Sequence, residues 1–411
     1  MEKEKNFKSN FIWNILGTGL NAFTSFFLLI AVTRINGIND AGIFTIAFST
    51  ACILYVIGIY AGRVYQVTEV NKDVKDTEYI SNRIISCLLM MVIGIAFVLF
   101  KKYSLYKSLI FILLAFFKCL EAFSDVLYGI LQKNDLLNKV GKSYFIKAAL
   151  SILTFVIADI ITRNIIISCV SIILIWIIIT LFYDFKNVKK IVNLKEERNT
   201  NNIINIFKNG FFVFAITFLG LYIMNAPKYA IDSYLEESIQ AIFGIIVMPA
   251  TVMGLIGQFL IHPYLNRIVQ LYNEKDSKSL NKLVLKIIAY IAAFGIVASI
   301  AAYLLGVPVL NLVYGISLDG YQIHLVAIIV ASTLYNIGVI YSSVLTTIRK
   351  TFIQFIIYIV VSIFALIISN ILTVNNGIDG SVIAYFAIMF SQFLAYTVIT
   401  NYYFKKMSKA K

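Results

Sequence analysis

Apolar runs of about 20 residues alternate with short polar breaks along almost the whole chain. At about 1.5 Å of rise per residue, a helical run of that length crosses the roughly 30 Å hydrocarbon core of a bilayer. Barrel strands would instead appear as segments of about ten residues with alternating polarity. The breaks delimit twelve predicted spans, at 11–33, 41–62, 84–100, 107–130, 144–162, 164–183, 207–227, 239–261, 283–306, 321–343, 351–373 and 379–403. The fold class expected from this pattern is all-α, a polytopic membrane protein with twelve transmembrane helices. The first run, FIWNILGTGLNAFTSFFLLIAV, is too long for a signal-peptide core and lacks a small-residue cleavage site, so it is expected to remain as the first span.

The longest polar stretch, YDFKNVKKIVNLKEERNTNN, separates spans six and seven. It predicts two six-helix lobes, residues 1–183 and 207–411, joined by a linker at 184–206. The starts of spans two and eight, NDAGIFTIAF and SIQAIFGIIV, are similar, and each follows an outer-end cation, Arg34 or Lys228. Duplicated bundles of this kind suit a transporter that rocks two lobes around a central site.

Composition supports a membrane protein. Of 411 residues, 60% are hydrophobic and 14% charged, with a mean hydropathy of +0.85. Of the 35 Lys and Arg residues, 28 fall on the side of the termini and 6 on the opposite side, so the positive-inside rule predicts cytoplasmic termini. That bias explains the net charge of +14 without nucleic acid. The four cysteines lie inside apolar runs without CxxC spacing and read as small buried hydrophobes. His262 and His324 stand alone at loops or span ends, which leaves no zinc or histidine-based catalytic set.

One span breaks the apolar pattern. Span four carries Lys118, Glu121, Asp125, Tyr128 and Gln132, which at 100° per residue fall within an arc of about 80°. Its thirteen Leu, Ile, Val and Phe residues from 107 to 130 favour insertion by roughly 4–8 kcal/mol, while three central charges cost about 2.5–3.5 kcal/mol each. The balance is near zero, so this face is expected to look into a bundle interior or a water-filled cavity. Two readings remain open. Lys118, Glu121 and Asp125 form a neutralised network that pins span four, or Lys118 attracts an anionic substrate while Glu121 or Asp125 takes up H+ or Na+. Lys118 and Glu121, at i and i+3, are close enough to pair.

Arg34 and Lys228 at outer span ends, and Arg63 at the inner end of span two, are either cavity cations or snorkelling side chains. Asn225 is a candidate substrate-binding polar group of the cavity, and Pro227 close by removes a backbone hydrogen bond and is expected to bend span seven as a hinge. No Walker A loop, GxSxG, HExxH or outer-loop carboxylate pair is present, so the chain is not expected to be an enzyme.

The segments NFIWNILGTGLNAFTSFFLLIAVTRINGINDAGIF, GRVYQVTEV, EAFSDVLYGILQKNDLLNKVGKS and NAPKYAIDSYLEESIQAIFGIIVMPA resemble polysaccharide-biosynthesis flippases. These are the Wzx-type and teichoic-acid-type members of the multidrug/oligosaccharidyl-lipid/polysaccharide (MOP) exporter superfamily. The resemblance extends over most of the chain, although the last two spans match only in being apolar. It implies a MATE-like arrangement of two lobes around a central cavity and movement of an undecaprenyl-linked glycan, such as a teichoic-acid or capsule precursor, to the outer leaflet. It also implies cavity cations for the lipid (pyro)phosphate, at the matching positions Arg34, Arg63, Lys118 and Lys228. Expected partners are membrane lipids and the polymerase or ligase proteins of the same route. No cofactor is expected, and the expected drive is the membrane potential or an H+ or Na+ gradient. The alternative is a cation-coupled multidrug exporter of the same superfamily, with the span-four carboxylates carrying the ion.

Overall fold

The computed structural model describes residues 2–60, 62–68, 74–193 and 196–409, and these form helices with no strand among them. In chain order the α-helices are α1 (Glu2–Ile35), α2 (Ile38–Ile59), α3 (Gly62–Thr68), α4 (Asp76–Lys101), α5 (Leu105–Lys133), α6 (Leu137–Thr162), α7 (Ile165–Ile179) and α8 (Phe185–Val188). After the linker come α9 (Thr200–Tyr234), α10 (Glu237–Ile261), α11 (Leu265–Asn273), α12 (Ser277–Ala301), α13 (Val307–Tyr314), α14 (Gln322–Thr347) and α15 (Thr351–Lys409). Local chemistry sets several starts. The Ser104 side chain accepts from the Lys107 amide at 3.3 Å ahead of α5, and Asn164 accepts from Ile166 at 2.9 Å ahead of α7.

Ten helices among the described residues are long and apolar enough to cross a membrane. The chain is a multi-pass membrane protein, and rows of exposed Leu, Ile and Val such as Ile85, Leu88, Leu89 and Val92 on α4 form its lipid face. The expected twelve spans differ from these ten at two places. One is α5, which is too charged to qualify. The other is Thr351–Lys406, a single apolar segment in which only Gly377 leaves the helical region, at φ 58° and ψ −133°. The sequence reading ended one span at 373 and began another at 379.

The helices reach further than the apolar runs suggest. α4 begins at Asp76 rather than 84 and α9 at Thr200 rather than 207. The chain forms two compact units, Met1–Phe218 and Leu219–Lys411. The break therefore falls inside α9 and not in the linker at 184–206. The cause lies in the first unit, where Tyr60 stacks on Phe214 at 4.7 Å, meets Phe207 edge-on at 4.9 Å and donates to the Phe207 carbonyl at 3.0 Å. The linker is held there as well. Glu78 accepts from the Asn199 amide at 2.7 Å and the Asn202 side chain at 3.0 Å, while Lys75 reaches Glu196 at 3.1 Å.

Within the first unit α1 and α6 pack closely through glycines. A Cβ at Gly17 would strike the Gly141 carbonyl, and one at Gly141 would strike the Trp13 backbone. Only residues without a side chain allow the two backbones this approach.

Candidate functional site

The buried polar residues of the two units differ in kind. Among the described residues, those buried in the second unit are uncharged, including Gln240, Ser332, Asn336, Gln354, Gln392 and Thr400. The first unit buries Glu78, Arg83, Lys107, Glu121, Asp125, Lys147, Asp159 and Asp184. Bringing ionised groups out of water is costly unless they are paired and hydrogen-bonded. Most of this charge is gathered around α5.

The face of α5 expected from helical spacing meets α1, α2, α4 and α6. Lys118 Nζ lies 2.6 Å from Glu121 Oε2, one turn along the same helix. Glu121 also accepts from the Asn21 amide of α1 at 3.0 Å. The ammonium sits over the rings of Phe48 (5.0 Å), Phe117 (5.3 Å) and Tyr55 (5.7 Å), whose faces favour a cation.

One turn further, Asp125 serves two guanidinium groups. Arg83 Nη2 on α4 approaches Asp125 Oδ2 at 3.2 Å, and Arg63 Nε on α3 approaches Oδ1 at 3.7 Å. Arg83 Nη1 also donates to the Gly58 carbonyl at 3.2 Å. Arginine remains charged at any accessible pH, so this group of three carries one surplus positive charge. Two of its donors, Arg63 Nη1 and Arg83 Nε, are buried without a hydrogen-bond partner. Leaving a buried donor unpaired costs about 1–3 kcal/mol. The unmet need is therefore for an acceptor, and the surplus charge favours an anionic one.

A third ion pair is sealed from solvent. Lys147 on α6 meets Asp184 at 2.6 Å, with both side chains fully buried. Asp184 ends a π-helical turn, Thr180–Asp184, that extends α7 and is marked by the bond from the Phe185 amide to the Thr180 carbonyl. Such a turn re-aims the side chains that follow it.

The structure thus brings together Lys118, Glu121, Asp125 and Arg63 of the sequence-derived candidates. It does not bring Arg34 to them. Arg34 is exposed in the last turn of α1, and thirteen residues of helix place it about 20 Å along the axis from Asn21. Asn225 donates to the Leu221 carbonyl of its own helix at 2.8 Å. Pro227 is buried inside α9, which continues through it to Tyr234. Lys228 is half-buried in the second unit. His324 is not alone, since Nε2 lies 2.5 Å from Asp379 Oδ1; the His262 side chain lies outside the described residues.

Sequence reasoning missed Arg83, Lys147 and Asp184. Arg83 falls just outside predicted span three and Asp184 in the linker, while Lys147, inside predicted span five, drew no notice as a single charge. One signal was present: Ser143, Lys147 and Ser151 recur every four residues and share a face of α6, and all three are fully buried.

No protein-family model matches the chain. It is 24% identical over 413 residues to the capsular polysaccharide biosynthesis protein CapF of Staphylococcus aureus, covering 98% of this chain and 99% of that one. An inward-facing multidrug-resistance MATE transporter of the MOP superfamily superposes with a TM-score of 0.70 at 13% identity, covering 96% of this chain and 99% of the transporter. An outward-facing structure of a multidrug-resistance MATE transporter gives 0.60 at 14% identity, with 99% and 97% covered. A MOP superfamily transporter from Pyrococcus furiosus gives 0.56 at 14%, with 98% and 96% covered. The helical fold of the described residues is the fold of the MATE transporters.

Proposed function

We propose that the chain is a flippase that carries a lipid-linked anionic glycan precursor from the inner to the outer leaflet by alternating access, with both termini cytoplasmic. The observation that carries this reading is the Arg63–Asp125–Arg83 group, with more positive charge than its carboxylate balances and two buried donors awaiting an acceptor. Phosphate and pyrophosphate oxygens suit guanidinium donors, which present a planar fork. The likeness to CapF supports a polysaccharide precursor as the cargo. A polar head group cannot be drawn through hydrocarbon unsolvated, so the transporter supplies charges for the phosphate while the polyprenyl tail stays in lipid. A multidrug exporter of the same fold is supported less, because a surplus guanidinium repels the cationic amphiphiles such exporters would take.

The test is a liposome assay in which purified protein moves a polyprenyl-pyrophosphate oligosaccharide between leaflets, read by accessibility of the sugar to an added lectin or glycosidase. Arg83→Gln and Arg63→Gln are expected to lower the rate at least tenfold. Efflux of cationic dyes with no movement of the glycolipid would refute the proposal.

A further inference from the structure

The ammonium of Lys147 has no part in the substrate reading, and its surroundings are unusual for a structural ion pair. Four oxygens surround Nζ. Asp184 Oδ2 lies at 2.6 Å, Ser124 Oγ and Thr180 Oγ1 at 2.8 Å each, and Tyr128 OH at 3.0 Å. The ammonium has three protons to donate, so the shell holds one oxygen more than directed hydrogen bonds require. The oxygens also brace one another, with Ser124 and Thr180 hydroxyls 3.1 Å apart and Tyr128 bonded to Ser143 at 2.9 Å. The Ser143 and Tyr128 hydroxyls also lie within reach of the buried Asp184 carboxylate. One carboxylate and several hydroxyls converging on a single point are a donor set for a hard cation.

We infer that this shell is a monovalent-cation cage whose occupant is the chain's own tethered ammonium. While Lys147 is in place, sodium finds no room among these oxygens, and α5, α6 and the π-turn are tied together without an ion from solution. Any dependence of transport on sodium then arises outside this shell. Removing the ammonium leaves one negative charge and the hydroxyls, and a small cation such as Na+, NH4+ or methylammonium takes its place. The inference is independent of which substrate the chain carries.

The experiment measures thermal unfolding of the full-length protein in detergent, in chloride salts of sodium, potassium, ammonium and methylammonium, with choline chloride at equal ionic strength as reference. Wild type is expected to melt at the same temperature in all five salts. Lys147→Ala is expected to melt several degrees lower in choline and to recover at least half of that loss, saturably, in one or more of the small cations. Lys147→Ala/Asp184→Asn, which has no net charge in the cage, is expected to lose the cation response. A saturable sodium stabilisation of wild type that Lys147→Ala/Asp184→Asn loses overturns the inference, as does a folded Lys147→Ala that melts alike in every salt. A Lys147→Ala that folds in no salt, while the double variant folds, also overturns it. If neither variant folds, wild type and Asp184→Asn are compared: indifference of wild type to sodium, or an equal response of both, supports the filled cage, and a saturable shift that Asp184→Asn loses refutes it.

Discussion

Replacing Asp125 by asparagine removes one negative charge from between two guanidinium groups and leaves the shape almost unchanged. Arg83 bears the larger loss, because its side chain is 5% exposed and its Nη2 lies 3.2 Å from the carboxylate. With charge centres about 4 Å apart, the lost attraction is about 4 kcal/mol at an effective dielectric near 20. Arg63, at 3.7 Å and 25% exposed, adds about 1 kcal/mol after solvent screening. The asparagine oxygen recovers part of this through one hydrogen bond, so the net cost is about 3–5 kcal/mol. At about 2 °C per kcal/mol, the expected fall in melting temperature is about 6–10 °C. Arg83→Met should cost less, since Asp125 keeps Arg63 and no guanidinium is left without an anion. Phosphate or pyrophosphate in the buffer should restore part of the stability of Asp125→Asn. The assay is differential scanning fluorimetry of detergent-purified protein. If Arg83→Met is the more damaging of the two, or if Asp125→Asn melts within a degree of wild type, the charge surplus assigned to this group is wrong.

Gly141→Leu forces a side chain into the backbone of Trp13 and should cost about 3 kcal/mol or more, seen as loss of the monodisperse peak on size exclusion, whereas Gly19→Ala, where a Cβ meets nothing within 4 Å, should be neutral or stabilising. Lys118→Met strands Glu121 with only the Asn21 amide among its hydrogen bonds; it should lower the melting temperature more than Lys118→Met/Glu121→Gln does, and the reverse order would show that the pair is not coupled. Glu78→Ala deletes the acceptor for the Lys75 and Asn199 amides and the Asn202 side chain, so hydrogen exchange at Asn199 should speed up at least tenfold, with exchange unchanged counting against the clasp.

The inward face of α5 was legible in the sequence because helical spacing is arithmetic, and the Lys118–Glu121 pair follows from the i, i+3 rule. The partners across helices were not. Arg83 and Asp125 are 42 residues apart and Lys147 and Asp184 are 37 apart, and no periodicity along one helix reports such a meeting. Trimming spans at the first charged residue also placed Arg83 and Asp184 outside the membrane, although the helices that carry them run on. Arg34 and Lys228 entered as cations at outer span ends, where the positive-inside rule calls for none, and again through family resemblance; neither signal reports what such a side chain meets in the fold. The surplus of positive charge emerged only once Arg83 and Arg63 were seen to share one carboxylate.

The arrangement of the charged pairs constrains how the chain can be made. Arg83 on α4 is answered from α5, and Lys147 on α6 is answered from the turn that extends α7, so these two buried cations find their counter-ions in the very next helix. A lone α6 carrying Lys147 would face about 2.5–3.5 kcal/mol of opposition in entering lipid by itself. Paired with α7, it enters with Lys147 neutralised by Asp184. Synthesis should therefore favour lateral release of these helices two at a time, with the insertion machinery retaining the first until the second arrives.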